Sequence, residues 1–74
     1  MSATTQQMQT LLAMARRDRM VSVLEQMYRD NEDQREGALC LAVVIQQAAE
    51  RFGSTVDMDA MADVILADWA GGGA

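Results

Sequence analysis

The sequence predicts an all-α protein, a small three-helix bundle that pairs with a second copy, and three observations carry that prediction. There is no Pro among the 74 residues and only Gly37 precedes Gly53, so residues 4 to 36 contain almost nothing that obliges a helix to stop. Half of the residues are apolar, yet only Tyr28, Phe52 and Trp69 are aromatic. Any core must then come from Ala, Leu, Val, Ile and Met, a composition that favours helices over sheets. The third observation is the recurrence of capping residues at the points where helices would begin. At this length one domain, residues 1–74, is the most the chain can form.

Taken in order, a first helix is expected over about 4–30. Thr4 and Gln7 have the spacing of a capping box, each side chain satisfying an amide at the other position. On a wheel of about 100° per residue, Met8, Leu11, Leu12 and Ala15 share one face, while Met20, Val23, Leu24 and Met27 share another rotated by roughly 120°. The stripe changes direction at Arg16, Arg17, Asp18 and Arg19. Either Asp18 caps a new helix there, or one long helix packs its halves on different neighbours. The unbroken helix is the expectation, since these residues are good helix formers and none interrupts the backbone ladder.

Asn31, Glu32 and Asp33 form a polar turn, and Asp33 with Glu36 resembles the next N-terminal cap. A second helix is expected over 34–52. Its segment from Ala38 to Ile45 is apolar throughout and could be read as a buried strand, but Ala38, Leu41, Ala42, Ile45, Ala48, Ala49 and Phe52 continue one helical face beyond it. Phe52 then Gly53 reads as a helix end with Gly in the left-handed position. Ser54 and Asp57 match another capping box, opening a third helix over 55–70 with Met58, Met61, Ala62, Ile65 and Trp69 on one face. Residues 71–74 read as a frayed tail.

In the second helix Leu39, Cys40, Val43 and, nearer the edge, Val44 lie on an otherwise polar side. A three-helix monomer would leave them in water, and a contiguous exposed patch usually marks an interface. Together with Met20 and Met27 they are the expected surface for self-association or a partner. A chain this short gains stability from disulfides, a metal or a second subunit. One Cys cannot form an internal disulfide, which leaves a homodimer as the expected device. Met14, Met20 and Met27 would be adaptable contacts, because thioether side chains fit varied surfaces.

The chemistry is mostly exclusion. With no His and no Lys there is no common base near neutrality, no imidazole metal ligand and no Schiff base, so the chain is not expected to be an enzyme and no cofactor is expected. Asp57, Asp59 and Asp63 imitate the start of a calcium loop, but the next ligand position is Met61 and the required Gly is absent. Cys40 has no cationic neighbour in sequence and reads as a small packed hydrophobe. Length, acidity and helicity resemble those of acyl carrier proteins, which carry their prosthetic group on a Ser in an Asp-Ser-Leu context. Ser2, Ser22 and Ser54 lie in Met-Ser-Ala, Val-Ser-Val and Gly-Ser-Thr, so that family is rejected.

The net charge of −5 is unevenly placed. Residues 1–29 hold four Arg against two acids, and residues 30–74 hold two Arg against nine. The halves should attract, with Arg16, Arg17 and Arg19 a solvated face or partners for acids such as Glu25. A nucleic-acid regulator using those three Arg is the alternative, although no aromatics interleave with them and the acidic half would repel phosphates. Asp57, Asp59, Asp63 and Asp68 could instead present an acidic face to a basic partner. No charged segment leads into an apolar one, no Asn-x-Ser/Thr occurs and no stretch reaches the ~18 apolar residues of a membrane span, so a cytoplasmic location is expected. An acidic chain rich in Ala and Arg without Lys is similar to accessory proteins of phages or mobile elements in GC-rich bacteria. The expected function is a non-catalytic protein interaction module, an inhibitor or adaptor that occupies a surface of a host protein.

Overall fold

The structure is a computed structural model that describes residues 4–71. It is all-α, with helices α1 (Thr5–Ala15), α2 (Arg19–Arg29), α3 (Gln34–Glu50) and α4 (Met58–Gly71). The expected three-helix count is corrected to four among the described residues, because the first long helix is two short ones. Of the expected frayed tail, Gly71 is the last residue of α4 and positions 72–74 lie outside the described residues.

The capping box forms as its spacing predicts. Thr4 Oγ1 accepts from the Gln7 amide at 3.2 Å and Gln7 Oε1 accepts from the Thr4 amide at 2.7 Å. At the end of α1 the Arg17 and Asp18 amides donate to the Met14 and Ala15 carbonyls, a three-residue spacing that tightens the last turn. The Asp18 side chain then accepts from the Met20 amide at 2.9 Å and caps α2. Ser22 Oγ donates to the Arg16 carbonyl at 2.7 Å, so a carbonyl freed by the break is satisfied. The break separates the divergent stripes: that of α1 faces the core, whereas that of α2 faces largely outward. Two segments let α1 lie against α4 and α3 while α2 packs on α3.

Asp33 caps α3 through the Glu36 amide, and α3 buries Gly37, Ala38, Leu41, Ala42, Ile45 and Ala49. Gly37 is needed for a close approach: a Cβ there would sit 2.3 Å from the Tyr28 carbonyl oxygen. The end of α3 follows the expected glycine signal. The Ser54 amide donates to the Ala49 carbonyl at 3.1 Å, the Gly53 amide to the Glu50 carbonyl at 3.0 Å, and Gly53 has φ 75°. Phe52 belongs to this turn, off the helical path, and is 83% exposed where the wheel placed it in the core. Ala48 is exposed as well.

The capping box expected from Ser54 gives way to a cap three residues later, where Asp57 accepts from the Asp59 amide at 2.9 Å. The delay leaves Val56 outside the helix and lets it enter the core at 2% exposure. Met61, Ala62, Ile65 and Trp69 of α4 complete that core with Met8 and Leu12 of α1. No helix among the described residues is long and apolar enough to cross a membrane.

Candidate protein interaction surface

α2 contributes no buried residue, whereas each of the other helices buries at least two. Its inward side carries Val21 and Tyr28, partly buried against the core, and Glu25. Polar contacts hold this side in place. Arg16, at the end of α1, donates from Nε and Nη2 to the two Glu25 oxygens at 2.8 and 2.6 Å, and Nη2 also lies 2.6 Å from Asp68 Oδ2 of α4. Trp69 Nε1 donates to Glu25 Oε2 at 3.1 Å. A planar guanidinium serves two carboxylates, and the buried indole N–H finds an acceptor.

Burial pushes the Glu25 carboxyl toward its neutral form, but hydrogen bonds from Arg16 and Trp69 outweigh that and hold its pKa below the ordinary value. The same hydrogen bond from Arg16 to Glu25 raises the Arg16 pKa further above its usual range. The expected pairing of an N-terminal Arg with Glu25 is present, but it spans the break in the first helix rather than one turn of a continuous one.

With Glu25, Val21 and Tyr28 turned inward, the expected apolar stripe of α2 faces solvent. Met20 is 72% exposed, Met27 63% and Val23 54%, and Met14 at the end of α1 is exposed too. Leu24, at the inner edge of the stripe next to Tyr28 on the wheel, is partly buried. The expected α3 patch divides. Leu39 packs partly buried against the core and Val44 is partly buried, while Cys40 is exposed and Val43 stands at the exposed edge. Cys40 is therefore a surface thiol and not the packed hydrophobe its apolar neighbours suggested. Val23 completes the α2 stripe as an exposed residue; its wheel position was the available signal.

The candidate acidic face is largely engaged within the chain. Arg35 of α3 bonds Asp63 and lies 3.4 Å from Asp59, Asp68 is bound by Arg16, and Asp57 caps α4. The hydrogen bond to Asp63 raises the Arg35 pKa. Of the candidate phosphate contacts, Arg16 is committed to the network just described, whereas Arg17 and Arg19 are exposed and make no ion pair among the described residues.

A groove of about 650 Å³ separates α1 from α4, lined by Thr5, Leu12, Ala13, Ala60, Val64 and Ala67, with Arg16, Asp63 and Asp68 also contributing. Its two carboxylates are the ones held by Arg35 and Arg16. It therefore presents a paired ionic rim and small apolar side chains rather than two acids in contrasting environments, the arrangement that acid–base chemistry requires. Among the described residues no three His, Cys, Asp or Glu side chains gather as a metal site. No protein-family model, no curated protein and no solved structure matches this chain.

Proposed function

We propose that this chain is a non-catalytic protein interaction module, a homodimer that serves as a small inhibitor or adaptor of phage or mobile-element type on a host protein, with the outward stripe of α2 as its interface for self-association or for that partner. The observation that carries the proposal is the contrast within α2. An eleven-residue helix without a buried side chain exposes Met20, Val23 and Met27 by more than half. Isolated helices of this length are marginal in water, and an apolar stripe left open in a small domain marks a place where another surface binds. The methionines suit it, because unbranched thioethers adapt their shape to a partner.

The nucleic-acid alternative is weakened by the commitment of Arg16 to Glu25 and Asp68. Salt separates the two: a phosphate binder loses affinity steeply between 50 and 200 mM salt, by about a thousandfold for six contacts, whereas an apolar interface barely responds.

The test is photocrosslinking in producing cells with a benzophenone amino acid at position 20 or 27, and at the exposed polar position 47 as control. The expected result is protein adducts concentrated at 20 and 27. Adducts absent there, or equally frequent at 47, would overturn the proposal.

A further inference from the structure

We infer that the occupant of the α2 stripe is a second copy of this chain, whose own α2 lies antiparallel across a two-fold axis passing between Val23 and Leu24. This rests on the reading of α2 as an interaction surface and names its partner. A two-fold contact must be self-complementary, each residue meeting its counterpart across the axis. With the axis at that point, Met20 faces Met27 of the second copy, while Val23 and Leu24, on opposite edges of the stripe, each lie beside their own counterparts next to the axis, so the stripe covers itself along its full length.

Charge supplies the second argument. Arg17 and Arg19 stand exposed at the N-terminal end of α2, and Asp30 and Glu32 stand exposed beyond its C-terminal end. Apart from Asp18, whose carboxylate is taken up in capping the Met20 amide, that polarity runs against the helix's own dipole, which favours anions at the N-terminus and cations at the C-terminus. Arg29, the one cation in the last turn, lies roughly 180° from Met20 on the wheel, away from the stripe. An antiparallel second copy lays each basic end beside the other's acidic end and opposes the two dipoles. The arrangement that is unfavourable within one helix is favourable between two.

An eleven-residue helix is only about 16 Å long, so the contact falls at the small end of stable interfaces and a weak, concentration-dependent dimer is expected. Sedimentation equilibrium at 50 mM salt tests it with three proteins: the natural chain, R17E/R19E and D30R/E32R. Each double variant improves the match of charge to dipole within its own helix, so both should keep their helicity by circular dichroism. The natural chain should dimerise. Each variant alone should self-associate at least tenfold more weakly, because like charges then meet at both ends. Mixed one to one, the two variants should pair as a heterodimer within about threefold of the natural affinity.

A natural chain that stays monomeric at 1 mM, variants that dimerise as before, or a mixture that fails to pair would each overturn the inference. Failure of the α2 reading itself is distinguishable. A monomeric chain whose position 20 still crosslinks to a different protein loses only the second copy, whereas absence of any adduct removes the surface.

Discussion

α2 and α3 are consecutive helices joined by a short turn, yet they are held by different physics. α3 places Leu41 and Ile45 in the middle of the core and is bound by packing on both neighbours, whereas α2 lies against α3 with no side chain fully buried. What secures α2 is a close backbone approach at Gly37, the partial packing of Val21 and Tyr28, and the contacts that converge on Glu25. In a chain of 74 residues the core is thus built by α1, α3 and α4, and α2 is attached to it with its greasier side outward. A helix can belong to a fold without contributing to its core, and the apolar residues it then shows are free for binding.

The comparison would break first in the core. Leu41→Ala or Ile65→Ala deletes a fully buried side chain and should cost about 2–5 kcal/mol, against a total of about 5–15 kcal/mol for small domains. Denaturant titration should find these variants largely unfolded or close to it. Met20→Ala, measured at micromolar protein, should shift stability by less than about 0.5 kcal/mol. Equal losses at the two sites would mean that α2 is part of the core after all.

Gly37→Ala sharpens the comparison at the join. Ala is the better helix former by about 1 kcal/mol, which alone would stabilise α3. The new methyl, however, would sit 2.3 Å from a backbone oxygen of Tyr28 that cannot swing away like a side chain. Separation of α2 from α3 should dominate, for a net loss of about 1–3 kcal/mol by thermal or chemical unfolding. A stabilised variant would show that α2 is too loosely attached to register the clash.

Much of this was legible in the sequence, and the part that was not has an identifiable cause. Local signals succeeded: the Thr4–Gln7 box, the Asp33 cap and the Gly53 terminus depend on neighbours within five residues, and each forms as predicted. The rotated stripe was visible too, but the good helix formers of 16–19 argued for continuity. The choice was made by tertiary contacts the sequence does not display, namely Arg16 reaching Glu25 and Asp68 across 9 and 52 positions. Asp57 displaced Ser54 as a cap because Val56 is drawn into the core, again a non-local effect. The wheel found the apolar stripe of α2; the side that faces the core instead carries Val21 and Tyr28 around Glu25, a charged residue whose long-range partners Arg16 and Trp69 the sequence does not display.

Glu25→Gln tests that polar attachment. The Glu25 pKa lies below its ordinary value of 4.5 in the folded chain, so the carboxylate contributes stability that is fully present above about pH 4.5 and is lost as pH falls through the folded value. The variant keeps the shape but gives up charge-assisted hydrogen bonds to Arg16 and Trp69, and should be about 1–2 kcal/mol less stable at pH 7. The difference between the two proteins should narrow steadily below pH 4.5, even though other acids destabilise both. A constant gap from pH 7 to pH 3 would show that the charge on Glu25 is not what fastens α2.

The smallest effect on folding should come from Met27→Gln, and it is informative for that reason. Met and Gln have similar helix propensities, and a side chain already 63% exposed loses little burial when its thioether becomes an amide. Dilute protein should therefore unfold within about 0.5 kcal/mol of the natural chain. At protein concentrations where copies associate, the same change places an amide where Met20 of the second copy should pack, and an apolar contact is exchanged for polar groups that must be desolvated. Stability measured against protein concentration should then rise for the natural chain and stay flat for the variant, since only association with the folded state makes stability depend on concentration. A loss already present in dilute solution would place Met27 among the residues that hold α2 to its own chain.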